Sequence, residues 1–369
     1  MVYENEGKIA MSIWPIYRGN TDPHNDIDHL PPSPRWRRFG GARQLEWVLN
    51  ERAQRQDEQS QHRGRTFYAR DVVVEQVNAS LFLRRPLLVT GNPGTGKSSL
   101  AHSIAYELKL GPVLEWPINS RSTLQDALYR YDAIARLQEA SLRERTGANT
   151  RESDIGQFLR LGPLGTALVG SDYPRVLLID EIDKSDIDLP NDLLTIFEEG
   201  WFEIPELARL AKQDRQRSVT VLTHDREPNR DDVTVEIEDG RIECRAFPFI
   251  VITSNGERAL PPAFLRRCIQ LHLPDPSGEE LERIVRNHFR SDSAEEESSS
   301  SDGPSVADVE QAIGRLLSHY NDIQSRGELV ATDQLLNGIY LARTGVDVLG
   351  REQLLRSIFE SLGRSGRRT

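Results

Sequence analysis

Short apolar runs alternate with segments of helical spacing through the middle of this chain. Apolar runs bounded by polar or glycine-containing stretches are typical of buried strands. They occur at residues 86–90, 112–118, 175–179 and 249–253. Helices are predicted at residues 70–83 (Val73, Val77 and Leu81 share one face), 99–108, 122–139 and 191–199. Since buried strands that alternate with helices form a sheet covered on both faces, the pattern predicts an α/β fold with a mostly parallel sheet in three layers.

A different pattern follows this alternation. Residues 218–223, 233–237 and 241–244 alternate in polarity or are rich in β-branched side chains, which predicts three further strands. The dipeptide Asp239-Gly240 lies between the last two, and it is a strong signal for a tight turn. We therefore expect residues 233–237 and 241–244 to form a hairpin, preceded by an extended segment at 205–232 that is available to a client or partner.

Strand signals end near Pro276. Helices are predicted beyond it at residues 279–290, 306–324, 331–343 and 351–362. The stretch 291–305 is acidic and serine-rich, so we expect it to be disordered. The predicted organisation is an N-terminal extension at 1–65, an α/β nucleotide-binding domain at 66–276 and a helical lid domain at 277–369.

The N-terminal extension is rich in Pro, Asp, Asn, Gln and Arg, and only residues 44–55 have a helical pattern. It nevertheless contains Trp14, Tyr17, Trp36 and Trp47. Because large aromatic side chains are costly to leave in water, we expect the extension to pack on a domain or on a partner.

Composition narrows the class of protein. The chain has 369 residues, 28% of them charged, and a net charge of −11. This acidic balance argues against a general nucleic-acid-binding surface, and the basic clusters at 35–38 and 364–368 are typical of a solvated turn and tail. No apolar run is long enough to span a bilayer, and no signal-peptide pattern opens the chain. Cys244 and Cys268 form no disulfide framework and no zinc spacing, which fits a cytoplasmic location.

A glycine-rich loop joins the first predicted strand to its helix. The loop matches G-x-x-x-x-G-K-[ST], the phosphate-binding loop of nucleoside triphosphatases, in the strand–loop–helix context that the motif requires. Its backbone N–H groups and the following helix N-terminus favour a phosphate anion. Lys97 is expected to reach the β- and γ-phosphates and Ser98 to ligate Mg²⁺. The predicted nucleotide-binding residues are Gly91, Asn92, Pro93, Gly94, Thr95, Gly96, Lys97, Ser98 and Ser99.

Three further positions complete a candidate catalytic set. The apolar run at 175–179 ends in Asp180 and Glu181, which suit a Mg²⁺ ligand and a general base for the attacking water. Asn255 follows the next buried strand and suits orientation of that water, although Asn also commonly begins a turn. Arg266 and Arg267 suit stabilisation of phosphoryl charge at a neighbour's nucleotide, although a surface ion pair is the ordinary role of such residues.

These motifs together resemble the AAA+ ATPases, and within them the MoxR-like group, from about residue 68 to the C-terminus. Residues 91–98 resemble Walker A, and residues 176–184 resemble Walker B with its D-E-I-D-K continuation. Residues 162–168 and 193–200 resemble the signatures before and after Walker B. The resemblance implies that Asn255 is sensor 1 and that Arg267 is the arginine finger, with Arg266 in place of the usual Asp.

Two departures from the group are visible. Residues 330–334 contain no Arg where the group carries its sensor 2 residue, so lid closure is expected to be coupled to nucleotide differently. The extension, from Tyr17 to Trp36, resembles that of MoxR-type ATPases encoded beside von Willebrand factor A proteins in bacterial conflict systems. That resemblance implies a von Willebrand factor A domain protein as partner.

The resemblance implies a Mg²⁺-dependent ATP hydrolase that remodels or activates a protein partner. It also implies assembly into a ring, which we expect to be a hexamer. The alternative is a slowly hydrolysing, nucleotide-gated oligomeric switch or scaffold in a defence system, which the missing sensor 2 Arg favours. A nucleic-acid motor is disfavoured by the acidic balance, and GTP is not excluded by these residues.

Overall fold

The computed structural model describes residues 14–19, 22–45, 56–146, 155–214, 217–226, 232–289, 306–326, 328 and 330–359. These residues fall into two compact units. The first contains the described parts of 1–65, 69–89 and 98–271, and the second contains 66–68, 90–97 and the described part of 272–369. The N-terminal extension therefore clusters with the α/β unit, and the glycine-rich loop clusters with the helical unit. Trp47, most of the predicted helix at 44–55 and the stretch 291–305 lie outside the described residues.

A five-stranded sheet lies at the centre of the first unit, in the order β11-β1-β10-β5-β2. Strand β10 pairs in parallel with β5, which also pairs in parallel with β2. The four strands predicted from apolar runs are confirmed, and all six residues of β10 are buried. Strand β11 was missed because its alternating pattern is only four residues long and contains no continuous apolar run. The strands are β1 (Leu87–Thr90), β2 (Leu114–Pro117), β5 (Val176–Asp180), β10 (Phe249–Ser254) and β11 (Ile269–His272).

A second sheet of four strands has the order β3-β4-β7-β8. Strands β7 and β8 form an antiparallel pair, and β4 joins β7 in parallel. The lengthened segment at 205–232 thus contains a helix and strand β7, which pairs with β8. Its contact with a client or partner stays a prediction. The strands are β3 (Tyr129–Tyr131), β4 (Leu159–Leu161), β7 (Ser218–Arg226) and β8 (Asp232–Glu238).

The prediction that the strands on either side of Asp239-Gly240 pair with each other was wrong. Strand β9 (Arg241–Glu243) pairs with β6 (Trp201–Glu203), not with β8. Asp239 and Gly240 both have positive φ, as a tight turn requires, but the turn passes the chain from one sheet to another. Gly240 lies so close to the helix that follows β6 that a Cβ would approach the Ala208 nitrogen to 2.6 Å. This close approach, together with the pairing of β9 to β6, sends the chain away from β8.

Helices cover the strands of the first unit. The segment predicted as mostly helical at 122–139 is instead divided by β3, because residues 129–131 pair with β4. The helices are α1 (Glu58–Thr66), α2 (Asp71–Leu83), α3 (Lys97–Glu107), α4 (Leu124–Leu128), α5 (Ala133–Thr146), α6 (Pro163–Ala167), α7 (Leu189–Glu199), α8 (Pro205–Asp214) and α9 (Pro262–Arg267).

The described start of the N-terminal extension packs on α2 and α3. The Asn78 side chain accepts hydrogen bonds from the backbone N–H groups of Ile16 and Tyr17 and donates to the Tyr17 carbonyl. Tyr17 is fully buried and its hydroxyl lies 2.8 Å from the Ser103 hydroxyl. The expectation that the extension packs on a domain is thus confirmed at Tyr17. Trp36 is 80% exposed, so for this residue packing on a partner stays a prediction.

The second unit is helical beyond β11. Its apolar core is formed by residues such as Leu281, Leu316, Leu335 and Ile339, which recur at helical spacing. The predicted helices are confirmed within the described residues, and the last one ends earlier than expected. They are α10 (Glu279–Phe289), α11 (Val306–Ser325), α12 (Thr332–Arg343) and α13 (Glu352–Ile358).

Candidate functional site

The glycine-rich loop of the second unit is folded onto its own lysine. The Lys97 ammonium donates to the carbonyl oxygens of Gly91 and Asn92, at 2.9 and 2.7 Å, and the residue is 7% exposed. Gly94 and Gly96 have φ of 80° and 85°, conformations that residues with a Cβ rarely adopt. The glycines are therefore required for the backbone path that curls around Lys97.

The same loop contacts the start of α12 within the second unit. A Cβ on Gly94 would lie 2.5 Å from the Ala331 Cβ and 3.0 Å from the Thr332 nitrogen. The Asn92 amide also donates to Asp275 at 2.8 Å. The region 330–334, where the resemblance leads one to expect an arginine, therefore meets the loop through small side chains and backbone.

In the first unit, Ser98 and Asp180 form a pair of oxygen groups. The Ser98 hydroxyl, near the start of α3, donates to Asp180 Oδ1 at 2.8 Å. The Thr253 hydroxyl donates to the same carboxylate oxygen at 2.5 Å and accepts from the Glu181 N–H at 2.8 Å. Ser99 follows on the same helix and is half-buried.

Strand pairing explains why these groups meet. In the parallel ladder between β5 and β10, Ile179 lies opposite Ile252. The next residues along each strand are Asp180 and Thr253, so both side chains reach the carboxyl end of the sheet together. Strand β10 also separates β1 from β5, so the carboxylates end a strand that is not adjacent to the one preceding the loop.

Three features restrain Glu181: its backbone conformation and two side-chain contacts. Its φ of 63° is left-handed, an uncommon conformation for a residue with a side chain. The Asn255 amide lies 3.1 Å from Oε1, and the Lys184 ammonium lies 2.7 Å from Oε2. The hydrogen bond to Glu181 raises the pKa of Lys184, so this lysine is charged at neutral pH. Both oxygens of the predicted general base are thus engaged.

Asp183 connects the two strand ends. One of its oxygens accepts from the N–H groups of Asn255 and Glu257, at 3.0 and 2.9 Å. The side chain is 5% exposed, and its Oδ1 is buried with no hydrogen-bond partner. Asp183 therefore fixes the backbone from which Asn255 reaches Glu181.

The two candidate finger arginines differ in their contacts. Arg267, at the end of α9, donates from Nε to Glu198 of α7 at 2.5 Å and is partly exposed. Arg266 is exposed, and no side-chain hydrogen bond or ion pair involves it among the described residues. The structure does not place either arginine beside Glu181 or Asn255.

The structure thus brings Ser98, Asp180, Glu181 and Asn255 together in the first unit. Three contributors were missed from the sequence: Thr253, Asp183 and Lys184. Thr253 is a polar residue at the end of an otherwise apolar strand, which was an available signal. Lys184 lies three residues after Glu181, and that spacing places side chains near one another on a helical turn.

Other observations limit the chemistry. Both cysteines are buried and unpaired, and burial raises the pKa of each thiol to about 12. Within the described ranges, no group of three or more His, Cys, Asp or Glu side chains is placed to hold a metal ion. Searching those same ranges for a membrane-spanning helix finds none of sufficient length and apolarity.

Comparison with known proteins bears on this site. Residues 86–268 match the AAA domain family, dynein-related subfamily. No curated protein sequence matches the chain. Among solved structures, the S. cerevisiae Hsp104–ADP complex is similar with a TM-score of 0.40 and 14% identity, covering 85% of this chain. The chain spans about half, 49%, of the length of Hsp104. Residues 86–268 therefore match an AAA domain, and the first unit has the α/β fold with a mostly parallel sheet that such a domain implies.

Proposed function

We propose that this protein is a MoxR-type AAA+ ATPase that hydrolyses Mg²⁺-ATP and uses the cycle to remodel or activate a partner protein. The observation that carries the proposal is the linked set of contacts from Ser98 through Asp180 and Thr253 to Glu181 and Asn255. Two hydroxyls, two carboxylates and an amide at one end of a parallel sheet suit phosphoryl transfer to water.

The residues present fit the proposed ligands. Magnesium prefers oxygen ligands and is commonly held by one or two carboxylates together with substrate phosphates. The Ser98 hydroxyl and Asp180 carboxylate supply such oxygens and already lie within 2.8 Å of each other. The glycine-rich loop supplies backbone N–H groups and Lys97, which would exchange the Gly91 and Asn92 carbonyls for phosphate oxygens.

Each residue has a distinct task in this proposal. Mg²⁺ would neutralise charge on the transferring phosphoryl group when bound. Ser98 and Asp180 would hold the ion, and Thr253 fixes the orientation of Asp180. Glu181 takes the proton from the attacking water at one carboxylate oxygen, and Asn255 orients that carboxylate. The catalytic set also includes Arg267 and, as an alternative finger, Arg266, which act on a neighbouring subunit's nucleotide.

The arginines make assembly part of the proposal. Arg267 pairs with Glu198, and among the described residues no hydrogen bond or ion pair joins it to Glu181 of the same chain. This position suits a contact with the nucleotide of a neighbouring subunit. We infer that the protein forms a homo-oligomeric ring in the cytoplasm. The ring is expected to be a hexamer, as the resemblance to the MoxR-like group implies. The partner that fits the N-terminal resemblance is a von Willebrand factor A domain protein. Neither a membrane nor nucleic acid is part of the proposed activity.

The test is replacement of the proposed base. Glu181→Gln should retain nucleotide binding with Mg²⁺ and reduce turnover by at least about a hundredfold, in line with general-base catalysis. Glu257→Gln is the matched control, because that exposed residue joins the hydrogen bonds of the site only through its backbone N–H and its carboxylate acts on Lys184 by charge alone. Normal turnover by Glu181→Gln would refute Glu181 as the base, and loss of turnover in Glu257→Gln would show that the effect is not specific.

A slowly hydrolysing switch is the second candidate. It is favoured by the engagement of both Glu181 oxygens and by the absence of Arg at 330–334. Steady-state turnover of the assembled wild type separates the two functions. A rate on the order of 10⁻² per second or lower, comparable to unassisted GTPase switches, supports the switch. A faster rate that rises further with a von Willebrand factor A protein supports remodelling.

A further inference from the structure

The start of α12 lies directly against the glycine-rich loop, within the second unit. A Cβ on Gly94 would approach the Cα of Ala331 to 2.9 Å and the nitrogen of Thr332 to 3.0 Å. Val330, Ala331 and Thr332 are all buried. Because packed groups in such close contact have no free space between them, a change in the path of the loop must displace residues 330–332. Gly94 is therefore the point at which the loop can act on α12.

Tyr320, on α11, fastens this segment to the apolar core of the second unit. The residue is 1% exposed and belongs to that core. Its hydroxyl donates to the Val330 carbonyl at 2.9 Å and accepts from the Gln324 amide at 3.2 Å. Burial raises the pKa of Tyr320, and hydrogen bonds with Thr332 and Gln324 oppose that rise. One phenol thus contacts the residues on both sides of Ala331.

A second link between the loop and the helical part of this unit starts at Asn92. Its carbonyl accepts from the Lys97 ammonium at 2.7 Å, and its side-chain amide donates to Asp275 at 2.8 Å. The Asp275 carboxylate is close enough to Tyr320 for its charge to contribute to the raised pKa of that phenol. The loop contacts at Asn92 and Gly94 thus both lead to groups around Tyr320.

The Lys97 ammonium connects these contacts to the proposed ligand. In the proposed function, Lys97 exchanges the carbonyls of Gly91 and Asn92 for phosphate oxygens. The backbone of the loop is then free to move, because those carbonyls lose the donor that holds them. Gly94 and Gly96, with φ of 80° and 85°, permit backbone paths that other residues rarely adopt. The movement reaches α12 at the contact with Gly94.

We infer that Tyr320 is a positioning residue that carries the nucleotide state of the loop to the helical core, through the contact between Gly94 and the start of α12. The inference rests on the proposed function, since it requires phosphate to bind at Lys97. It supplies a coupling in a chain whose residues 330–334 contain no arginine. The hydroxyl is the essential group, because it joins residues 330–332 to α11 and makes the helices respond together.

The test is hydrogen–deuterium exchange of the full chain with and without Mg²⁺ and a slowly hydrolysed ATP analogue, followed at residues 332–343. In the wild type the analogue should change the exchange rate of these amides by at least about fivefold, the lower end of usual coupling between sites. Tyr320→Phe keeps the ring and should still bind the analogue, as measured by calorimetry. The ratio of its two exchange rates should fall towards one. A purely structural defect would instead change exchange equally in both states and preserve the ratio.

Two further variants make the assignment specific. Ala331→Gly removes the side chain that meets Gly94, and glycine is well tolerated at a helix N-cap, so this variant should fold and lose the response as Tyr320→Phe does. Tyr340→Phe is the matched control, because that tyrosine also lies in the helical part of the unit and is 60% exposed. It should respond like the wild type, and an equal loss of response in this variant would overturn the assignment to Tyr320.

The remaining outcomes separate this inference from the proposed function. A full response in Tyr320→Phe, or loss of its nucleotide binding, would overturn the positioning role of Tyr320. A full response in Ala331→Gly would overturn the route through Gly94. A wild type that binds the analogue without any change at residues 332–343 would overturn the inference and leave the proposed function standing. A wild type that does not bind the analogue would overturn both.

Discussion

The ammonium of Lys184 lies 2.7 Å from Oε2 of Glu181, the carboxylate that we propose as the general base. The Asn255 amide holds the other oxygen at 3.1 Å. Each carboxylate oxygen has a second lone pair, so it can still accept a hydrogen bond from water. The two donors nevertheless fix the orientation of Glu181, and the strength of the Lys184 contact sets how readily the carboxylate turns towards an attacking water.

Lys184→Met is expected to raise basal turnover. Both partners are partly exposed, 42% for the lysine and 38% for the glutamate, and such pairs contribute up to ~1 kcal/mol. Removing the pair should therefore increase turnover by up to about fivefold, measured as phosphate release at saturating ATP. Lys212→Met, which changes an exposed lysine on α8, should leave turnover unchanged. A decrease in Lys184→Met would instead mean that the lysine assists the reaction.

Thr253→Val should weaken the binding of Mg²⁺ and lower the free energy of unfolding. The substitution removes a hydroxyl that donates to Asp180 and accepts from the Glu181 N–H. Leaving a buried donor unsatisfied costs about 1–3 kcal/mol of unfolding free energy. The half-saturating Mg²⁺ concentration should rise, as measured by titration at fixed ATP.

Thr223→Val provides the control for this change. The buried Thr223 hydroxyl donates to the Val233 carbonyl at 3.0 Å, in the second sheet. Its removal should lower the free energy of unfolding by a similar amount and leave the Mg²⁺ titration unaltered. An equal Mg²⁺ shift in both variants would assign the effect to general destabilisation.

The two adjacent arginines of α9 should behave differently. Removing an arginine finger lowers the rate by about a thousandfold or more. We expect this loss for Arg267→Ala and near wild-type turnover for Arg266→Ala, measured at concentrations where the protein is assembled. The Arg267–Glu198 pair is partly exposed, so neither change should move the thermal midpoint appreciably. The opposite ranking of rates would identify Arg266 as the finger.

Arg175 and Asp225 should form the most costly ion pair to break in the first unit. Their side chains are 0% and 5% exposed, and two hydrogen bonds of 2.7 Å join them. Asp225→Asn leaves a buried guanidinium without its counter-charge, which costs about 3–5 kcal/mol. Chemical denaturation should show this loss. The double change Arg175→Met with Asp225→Leu should recover much of it, because paired apolar replacements remove the uncompensated charge.

The strongest local patterns could be interpreted without a structure. The strand at Phe249–Ser254 begins with four consecutive apolar residues, so burial of that part follows from hydropathy alone. The phosphate loop likewise depends on glycines and a lysine that are consecutive in the chain. The weaker patterns failed where pairing was non-local: the Asp239-Gly240 turn is real, but β9 pairs with β6 rather than with β8. Turn propensity fixes a reversal of the backbone and does not choose the partner of the strand that follows.

The sequence by itself determined which residues carry oxygen ligands, a base and cations, and that buried strands lead to them. Only the tertiary structure decided that Thr253 lies beside Asp180, that Lys184 and Asn255 share Glu181, and that Trp36 stays in solvent. The physical reason is that these contacts depend on the register between β5 and β10 and on the left-handed backbone at Glu181. Both are consequences of packing between segments more than seventy residues apart. Local propensity carries no information about such non-local contacts.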